Sequence, residues 1–474
     1  MFFRVPTRPV VGCNADTSRR RRLAPGKCTI HSTKLLSSIL LVSLCLIERA
    51  RGWTVPSARH PVMVRSPRWA AIAAAASTAM GDGESSKLSI SNDVVVSAKV
   101  WGILDGREVH RIDIDTPEGF GVSFSTYGAT LLSVRAGDNK EQIEEVTLQY
   151  DTLEDVAAGT AYYGSTVGRV CNRIAGAKFS VDGRSFTLAA NDGPNCLHSG
   201  PKAFDKALWR HQIVREDDGA AGVRFELDSP DGDEGFPGNL AVKATYTVRR
   251  GGGKPGTGEL HSRMEATHIK TDTNGASSSP TPINLTNHAY WNLSGGGKRL
   301  VRGHDLFLRC DRYLPLDDQQ IPTGELAPVP GTFFDFSEAR PLGAAIDGIG
   351  GEPPGLDHCL VTIGATDDGK AKAKGNTGEQ LELPLIARLH EPQSGRVMEV
   401  SGSQPGVQVY TANYLSEDPG DKPHVRHNAV CLETQHFPNA VNNPAWAQSV
   451  LVPPGATYSE RSKHVFSVVE DGKK

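Results

Sequence analysis

The sequence predicts an all-β protein built as a sandwich or a barrel. From about Val94 onward, apolar residues recur at every second position, as in Ile112 and Ile114, and this spacing is typical of strands. Turn signals such as Asp105-Gly106 separate the runs. No stretch has a sustained helical period, and strands do not alternate with helices as they do in a parallel sheet. A mainly helical fold and an alternating α/β fold are therefore both disfavoured.

Later segments repeat this pattern. Val122 and Phe124 are separated by a serine and Val407 and Val409 by a glutamine, so each apolar pair is predicted to face one side of its strand. Residues 155–160 are a weak helical candidate. Stretches rich in Gly, Ser and Lys without apolar spacing are predicted to be exposed insertions, at residues 251–258, 274–280 and 367–378. No linker interrupts residues 93–470, which are predicted to form one domain.

Charge is balanced over the whole chain but unevenly distributed. The 474 residues include 51 Lys and Arg and 54 Asp and Glu. Residues 1–80 hold 13 of the basic side chains and only two acidic ones, which leaves 38 basic and 52 acidic in the remainder. An acidic body repels phosphates, so no nucleic acid partner is expected.

The first 80 residues are predicted to be a largely disordered targeting presequence. Arginines precede an apolar run at residues 35–47, whose 13 residues suit a signal peptide and are too few to span a membrane. An Arg-, Ser- and Ala-rich stretch follows at residues 53–80 and is typical of a transit peptide. The pair resembles the bipartite presequences of proteins sent to plastids. The alternative is translation from Met80, which predicts a cytoplasmic protein; no stable membrane insertion is expected in either case.

Motifs for nucleotide cofactors and metals are absent from the sequence. It contains no Walker A loop, no GxGxxG that leads from a strand into a helix, no HExxH and no GxSxG. The five cysteines of the body are scattered and form no CxxC pair: Cys171, Cys196, Cys310, Cys359 and Cys431. We therefore expect no cofactor and no metal, and we expect most of these thiols to be small buried side chains.

Glu433 and His288 are the strongest candidates for chemistry. In an extended segment Cys431, Glu433 and Gln435 share one face. A carboxylate in a central strand is partly desolvated, which raises its pKa and makes it a better base; the commoner alternative is a strand-end Glu that reaches solvent. His288 is predicted to lie in a mainly apolar strand with aromatic neighbours, where a structural core histidine is the alternative. Nearby aromatic rings such as Tyr290 suit the C–H faces of sugars.

Eight segments resemble the galactose mutarotase (aldose 1-epimerase) family. In chain order they read GRVCNRI, NDGPNCLHSG, SPDGDEGFPGNL, INLTNHAYWNL, GLDHCL, ARLHEPQSGRVMEV, PGVQVYTANYL and CLETQHFPNAVNNP. The likeness runs from about residue 100 to 468. Two positions depart from the family pattern, since Cys171 replaces a small Ala and Ser199 stands where Gly is common.

The resemblance implies a large antiparallel β-sandwich that interconverts the α and β anomers of aldohexoses without metal or cofactor. It implies that Glu433 is the general base and His288 the general acid. It places sugar-binding groups at Asn172, Arg173, His198, Tyr290, Asp357 and Gln408. A monosaccharide substrate and a monomer or weak dimer are expected.

Three alternatives remain at this stage. The first is a hexose-6-phosphate 1-epimerase, which needs basic groups at the C6 end of the sugar, and the matching motifs contain no extra Arg or Lys cluster. The second is a non-catalytic sugar-binding protein, which the presence of both Glu433 and His288 disfavours. The third is a glycosidase that uses Glu433 and Asp357 as its two carboxylates.

Overall fold

The computed structural model describes residues 93–270, 279–370, 382–416 and 424–469. The predicted presequence, most of insertion 274–280 and the end of insertion 367–378 lie outside these ranges. The first predicted insertion forms the connection between two long strands that end at Arg250 and begin at Gly258. Within the described ranges, no helix has the length and apolar character needed to cross a membrane.

Strands dominate the described ranges, as the sequence predicts. In the first half they are β1 (Val95–Leu104), β2 (Arg107–Asp115), β3 (Gly121–Ser125), β4 (Thr130–Gly137), β5 (Ile143–Glu145), β6 (Thr166–Val167), β7 (Arg173–Ile174), β8 (Lys178–Val181), β9 (Arg184–Thr187), β10 (Cys196–Leu197), β11 (Arg210–Arg215), β12 (Ala221–Ser229), β13 (Leu240–Arg250) and β14 (Gly258–His268). In the second half they are β15 (Thr281–Pro282), β16 (Thr286–Asn287), β17 (Tyr290–Trp291), β18 (Asp305–Leu308), β19 (Cys310–Tyr313), β20 (Ala327–Pro328), β21 (Arg340–Pro341), β22 (Asp357–Thr362), β23 (Leu385–His390), β24 (Arg396–Gly402), β25 (Gly406–Tyr410), β26 (Val430–Gln435), β27 (Leu451–Val452) and β28 (Thr457–Val468).

Helices are short. The α-helices are α1 (Leu153–Ala158), α2 (Leu342–Ile349) and α3 (Ala447–Val450). The 3₁₀ turns are Ala175–Ala177, Phe204–Lys206, Asp233–Gly235, Val301–Gly303 and Ala440–Asn442. Helix α1 begins and ends two residues earlier than predicted, because the Thr152 hydroxyl accepts a hydrogen bond from the Asp155 backbone N–H at 3.1 Å and caps the helix there.

Three antiparallel sheets make up the sandwich. A nine-stranded sheet has the order β11-β12-β13-β14-β28-β24-β23-β18-β21, a six-stranded sheet the order β17-β26-β25-β22-β19-β20, and a five-stranded sheet the order β1 to β5. All their ladders are antiparallel, which confirms the predicted large antiparallel β-sandwich.

The main apolar core draws on all three sheets. It includes Ile112 of β2, Val223 of β12, Met398 of β24 and Leu432 of β26, each almost fully buried. Strand β3 is buried on both faces, serines included, whereas the sequence alternation alone predicts one buried and one polar face. Its serines are satisfied locally: the Ser125 hydroxyl, for example, accepts from a backbone N–H at 3.0 Å. In the six-stranded sheet, Leu432 of β26 points into the core. Successive side chains of a strand point to opposite faces, so the other face of β26 points away from the core.

One buried acid lies inside the sandwich. Glu460 of β28 is 2% exposed and accepts a hydrogen bond from the Gln404 side-chain amide at 3.1 Å. The same amide donates to the Tyr458 hydroxyl at 2.7 Å. Burial raises the pKa of Glu460 from 4.5 to about 8, because a charged carboxylate loses its hydration there.

This burial predicts a specific pH dependence of stability. Because the folded pKa of Glu460 lies above the unfolded one, its stabilising contribution is complete below pH 4.5 and is lost as the pH rises through about 8. The substitution Glu460→Gln should flatten the fall in unfolding free energy across this window, by up to about 1.4 kcal/mol per pH unit. Urea titrations at a series of pH values measure this slope.

Glu399→Gln is the matched control, since Glu399 lies on the neighbouring strand β24 with a side chain 44% exposed. The control should retain the wild-type slope. Equal slopes for wild type and Glu460→Gln would show that Glu460 does not titrate in this way.

Candidate active site

A polar cavity of about 810 Å³ opens beside the six-stranded sheet. All eight site residues predicted from the sequence line this cavity: Asn172, Arg173, His198, His288, Tyr290, Asp357, Gln408 and Glu433. They come from segments up to about 260 positions apart in the chain, so only the folded topology brings them together. Two other aromatic residues of the family-like segments, Trp291 and Phe437, are buried in apolar clusters.

Strand register places the central groups on one face of the sheet. Glu433 of β26 pairs with Gln408 of β25, and the side chains of such directly opposed residues lie on the same face. One step along, Tyr290, Cys431, Tyr410 and Asp357 are paired in a row. The predicted face of β26 is thus confirmed, with Leu432 facing the core.

Glu433 and His288 form a close buried pair. His288 Nε2 lies 3.7 Å from Glu433 Oε1, and their side chains are 7% and 3% exposed. Burial raises the pKa of Glu433 well above its usual range, and the nearby Asp357 carboxyl raises it further. Burial lowers the pKa of His288 to about 4. Desolvation therefore favours the neutral form of both groups, and the pair holds one proton between them.

The chain changes sheets at His288. Strand β16 pairs with β6, and strand β17 pairs with β26; His288 lies in the two-residue break between β16 and β17. The prediction that His288 lies within a strand is therefore wrong. Its backbone is still fixed, because His288 N–H donates to Ser165 O at 3.0 Å and its carbonyl accepts from Gly164 N–H at 2.9 Å.

Two side chains hold the His288 ring from the sheet side. Cys431 Sγ lies 3.6 Å from His288 Nδ1. The Tyr290 ring stacks on the imidazole, with a centroid distance of 5.0 Å and an interplanar angle of 18°. Burial raises the pKa of Cys431 well above its usual range, so the thiol stays protonated. With the ring proton on Nδ1, directed at Sγ, the lone pair of Nε2 faces the Glu433 carboxyl and can take its proton.

His198 lies at the side of the cavity, in the loop that follows β10. Its Nδ1 accepts a hydrogen bond from the Asn172 backbone N–H at 3.1 Å, which leaves Nε2 as the protonated nitrogen. Burial lowers the pKa of His198 well below its usual range, and His288 and Arg173 lower it further. The two histidine rings are 5.4 Å apart.

Local backbone strain accompanies this loop. Asn172 has φ 62° and His198 has φ 52°, in the left-handed region that is uncommon for residues other than glycine, although Asn and His adopt it more often than most. Conformations of this kind cost about 1–3 kcal/mol each and persist where surrounding contacts hold them. Ser199, also at positive φ, exchanges hydrogen bonds with the Val170 backbone at 2.7 and 3.0 Å. The departure at Ser199 thus reinforces the loop.

An ionic network lines the other side. Arg173 Nε donates to Asp192 Oδ2 at 2.7 Å, and its Nη1 lies 3.9 Å from Asp357 Oδ2. Gln408 Nε2 donates to Asp357 Oδ1 at 2.7 Å. The buried Gln408 Oε1 has no hydrogen-bond partner in the structure. A buried acceptor without a donor is costly, so this oxygen is suited to a ligand hydroxyl.

One group of potential metal ligands lies in the described part of the chain, formed by His288, Cys431 and Glu433 with ligand atoms within 4.8 Å. The thiol approaches Nδ1 of the imidazole and the carboxylate approaches Nε2. One ion cannot occupy both edges of the same ring, so the three residues fit a resident metal poorly.

Residues 110–464 match the family described as Aldose 1-epimerase. The chain belongs to the aldose 1-epimerase family. It is 36% identical to galactose mutarotase of Sus scrofa over 73% of this chain and 91% of that protein. It is 32% identical to aldose 1-epimerase of Escherichia coli K12 over 76% of this chain and 96% of that protein.

A solved structure of galactose 1-epimerase from Lactobacillus acidophilus shares the fold, with a TM-score of 0.64 and 23% identity over 79% of this chain and 99% of that one. The family confirms the resemblance found in the sequence and makes the protein an isomerase, an aldose 1-epimerase. Its substrate class is a monosaccharide.

Several cavity residues of this epimerase are missed by the sequence reasoning. Tyr162, Asp192, Gln320, Tyr410 and Tyr414 line the cavity. Asp192 and Tyr410 occur inside the polar segments that drew attention, yet nothing local marks them as cavity residues. The Gln320 amide donates to the Tyr414 hydroxyl at the cavity rim. The signal for Tyr162 is a Tyr-Tyr pair before Gly164, which has no strand or helix pattern.

Substitutions of His288 and His198 are expected to change the kinetics of the epimerase in different ways. His288→Asn removes the group beside Glu433 and should lower kcat by about 10²–10⁴-fold, the usual value of one positioned proton transfer. We expect His198 to bind the sugar as a hydrogen-bond donor, so in His198→Asn KM should rise alongside a smaller fall in kcat. Steady-state polarimetry on galactose measures both. Loss of kcat in His198→Asn with only a raised KM in His288→Asn would reverse the assignment.

Proposed function

We propose that the protein interconverts the α and β anomers of aldohexoses such as galactose and glucose by acid/base-catalysed ring opening. Glu433 is the general base and His288 the general acid. The observation that carries this proposal is the 3.7 Å separation between the Glu433 carboxylate and His288 Nε2 in a polar cavity. Mutarotation removes a proton from the C1 hydroxyl and adds one to the ring oxygen. A base and an acid that share one proton can carry out both transfers.

The chemical step balances without any co-reactant. The C1 hydroxyl of the sugar donates a hydrogen bond to Glu433. This bond stabilises the ionised form of the carboxyl, so the shared proton moves to His288. The carboxylate then takes the hydroxyl proton, the C1–O5 bond breaks with its electrons on O5, and His288 Nε2 protonates O5. The aldehyde rotates about C1–C2, and the same steps in reverse close the ring on its other face.

Desolvation assists ring opening in this scheme. After O5 is protonated, Glu433 is a neutral acid and His288 a neutral imidazole. These are the forms that burial favours for both groups. The pair therefore stabilises the open-chain intermediate, and because water performs the reaction slowly, two positioned groups suffice without a cofactor.

Five further residues are proposed to bind the sugar hydroxyls. They are Asn172, Arg173, His198, Asp357 and Gln408. The unpartnered Gln408 Oε1 accepts from one hydroxyl, and Nε2 of His198 donates to another. Tyr290 supports the sugar site from behind, through its stack on His288. All these side chains belong to one chain, which agrees with the expected monomer or weak dimer.

Charge at the cavity disfavours a phosphosugar. Among the described residues that line it, Arg173 is the sole Arg or Lys, and it is already paired with Asp192. Asp318 adds a further acidic side chain at the lining. A phosphate at C6 would meet carboxylates rather than unpaired cations.

A sugar panel tests the proposed function. Polarimetry of fresh α-D-glucose and α-D-galactose should show accelerated mutarotation, with little acceleration of the corresponding 6-phosphates and no release from an aryl glycoside. Glu433→Gln is the control, because the isosteric amide cannot accept the proton, and it should lose nearly all of the rate while it still binds sugar. Acceleration confined to phosphosugars, aryl release, or full activity of Glu433→Gln would contradict the proposal.

A further inference from the structure

We propose that Tyr162 is a positioning residue for His288, whose ring clamps the imidazole against Tyr290 and stabilises it while it carries the proton. The proposal rests on the assignment of His288 as the acid in the proposed function. Tyr162 acts on the reaction through His288.

The ring geometry carries the proposal. The Tyr162 ring lies 5.9 Å from that of His288 at an interplanar angle of 21°, and Tyr290 lies 5.0 Å from it at 18°. The imidazole is thus nearly parallel to both tyrosine rings. Tyr162 also packs on His198 at 4.6 Å and so contacts both His198 and His288. One side chain therefore sets the plane of His288 and its spacing from His198.

The backbone around Tyr162 is built to hold it in place. Tyr162 has φ 58°, a left-handed conformation that is rare for a bulky side chain. Its carbonyl accepts from Ser165 N–H at 2.9 Å, which closes a turn over residues 162–165. The same turn binds the His288 backbone through Gly164 N–H and Ser165 O. At Gly164, with φ 65°, an added Cβ would lie 1.9 Å from Leu131 O, so the turn requires glycine.

This turn therefore grips His288 twice, at its backbone and at its ring face. Strained conformations that the surroundings enforce are concentrated at functional sites. Asn172 and His198, which also line the cavity, have positive φ angles as well. Tyr162 is therefore one of three cavity residues close to His288 whose backbone is in the left-handed region.

Aromatic faces also favour a charged imidazole. The face of a tyrosine ring carries a negative quadrupole that attracts cations, and the attraction strengthens in desolvated sites. The titratable groups that face His288 are Glu433, Cys431, Tyr290, Tyr410, His198 and Tyr162. Glu433 is the one acid among them, so the two stacked rings supply the remaining stabilisation of the proton on His288.

Comparison of Tyr162→Leu with Tyr162→Phe tests the proposal. The leucine variant loses the ring, and its kcat on galactose should fall about tenfold with less than a twofold change in KM. That fall corresponds to about 1.4 kcal/mol in the transition state. The acidic limb of the kcat/KM profile, which reports the free-enzyme pKa of His288, should move to lower pH. Tyr162→Phe keeps the ring. Its kcat should stay within about twofold of wild type, and the acidic limb of its kcat/KM profile should lie at the wild-type pH.

Thermal unfolding verifies that each variant is folded, and Tyr162→Met replaces Tyr162→Leu if the latter does not fold. Equal kcat and equal acidic limbs in the ring-bearing and ring-free variants would overturn the proposal. His288→Asn, measured in parallel, separates failure of the Tyr162 role from failure of the proposed function. If it loses kcat while Tyr162→Leu does not, only the role of Tyr162 fails; if both retain kcat, the proposed function fails with it.

Discussion

Desolvation of one carboxyl and one imidazole on the same sheet face is the constraint on which the site depends. Both Glu433 and His288 are almost fully buried, and burial moves their pKa values in opposite directions. Each group alone would be a neutral structural residue. Held 3.7 Å apart, they can exchange one proton without a change in the net charge of the pair, which is zero in either arrangement. That property matches a reaction in which one proton leaves an oxygen and another arrives.

The sandwich supplies this constraint through the two faces of its six-stranded sheet. One face packs Leu432 and Val407 into the main core, and the other carries Glu433 and Gln408 into the cavity. Antiparallel register fixes Glu433 opposite Gln408. Segments outside the sheet then close the site, and their positive φ angles show that tertiary contacts determine their shape. The rigid part of the fold thus positions the base, and the strained turns position the histidines.

The sequence predicts this site better than it predicts the local structure around it. Period-two alternation is sufficient to place Glu433 on a face with Cys431 and opposite Leu432. The family-like segments identify cavity residues that are far apart in the chain, such as Asn172 and Gln408. Local sequence patterns do not predict that such residues lie in one site. The sequence fails where long-range contacts decide the outcome: His288 lies at a change of sheet, β3 is covered on both faces, and Tyr162 adopts a left-handed backbone.

The protonation state of Glu433 in the sugar-free enzyme tests the central claim most directly. Infrared difference spectra between wild type and Glu433→Gln at neutral pH isolate the carboxyl of this one residue. The account predicts the C=O stretch of a protonated carboxylic acid, because burial and the nearby Asp357 raise the pKa of Glu433 well above its usual range. The symmetric and antisymmetric bands of an ionised carboxylate in its place would contradict it.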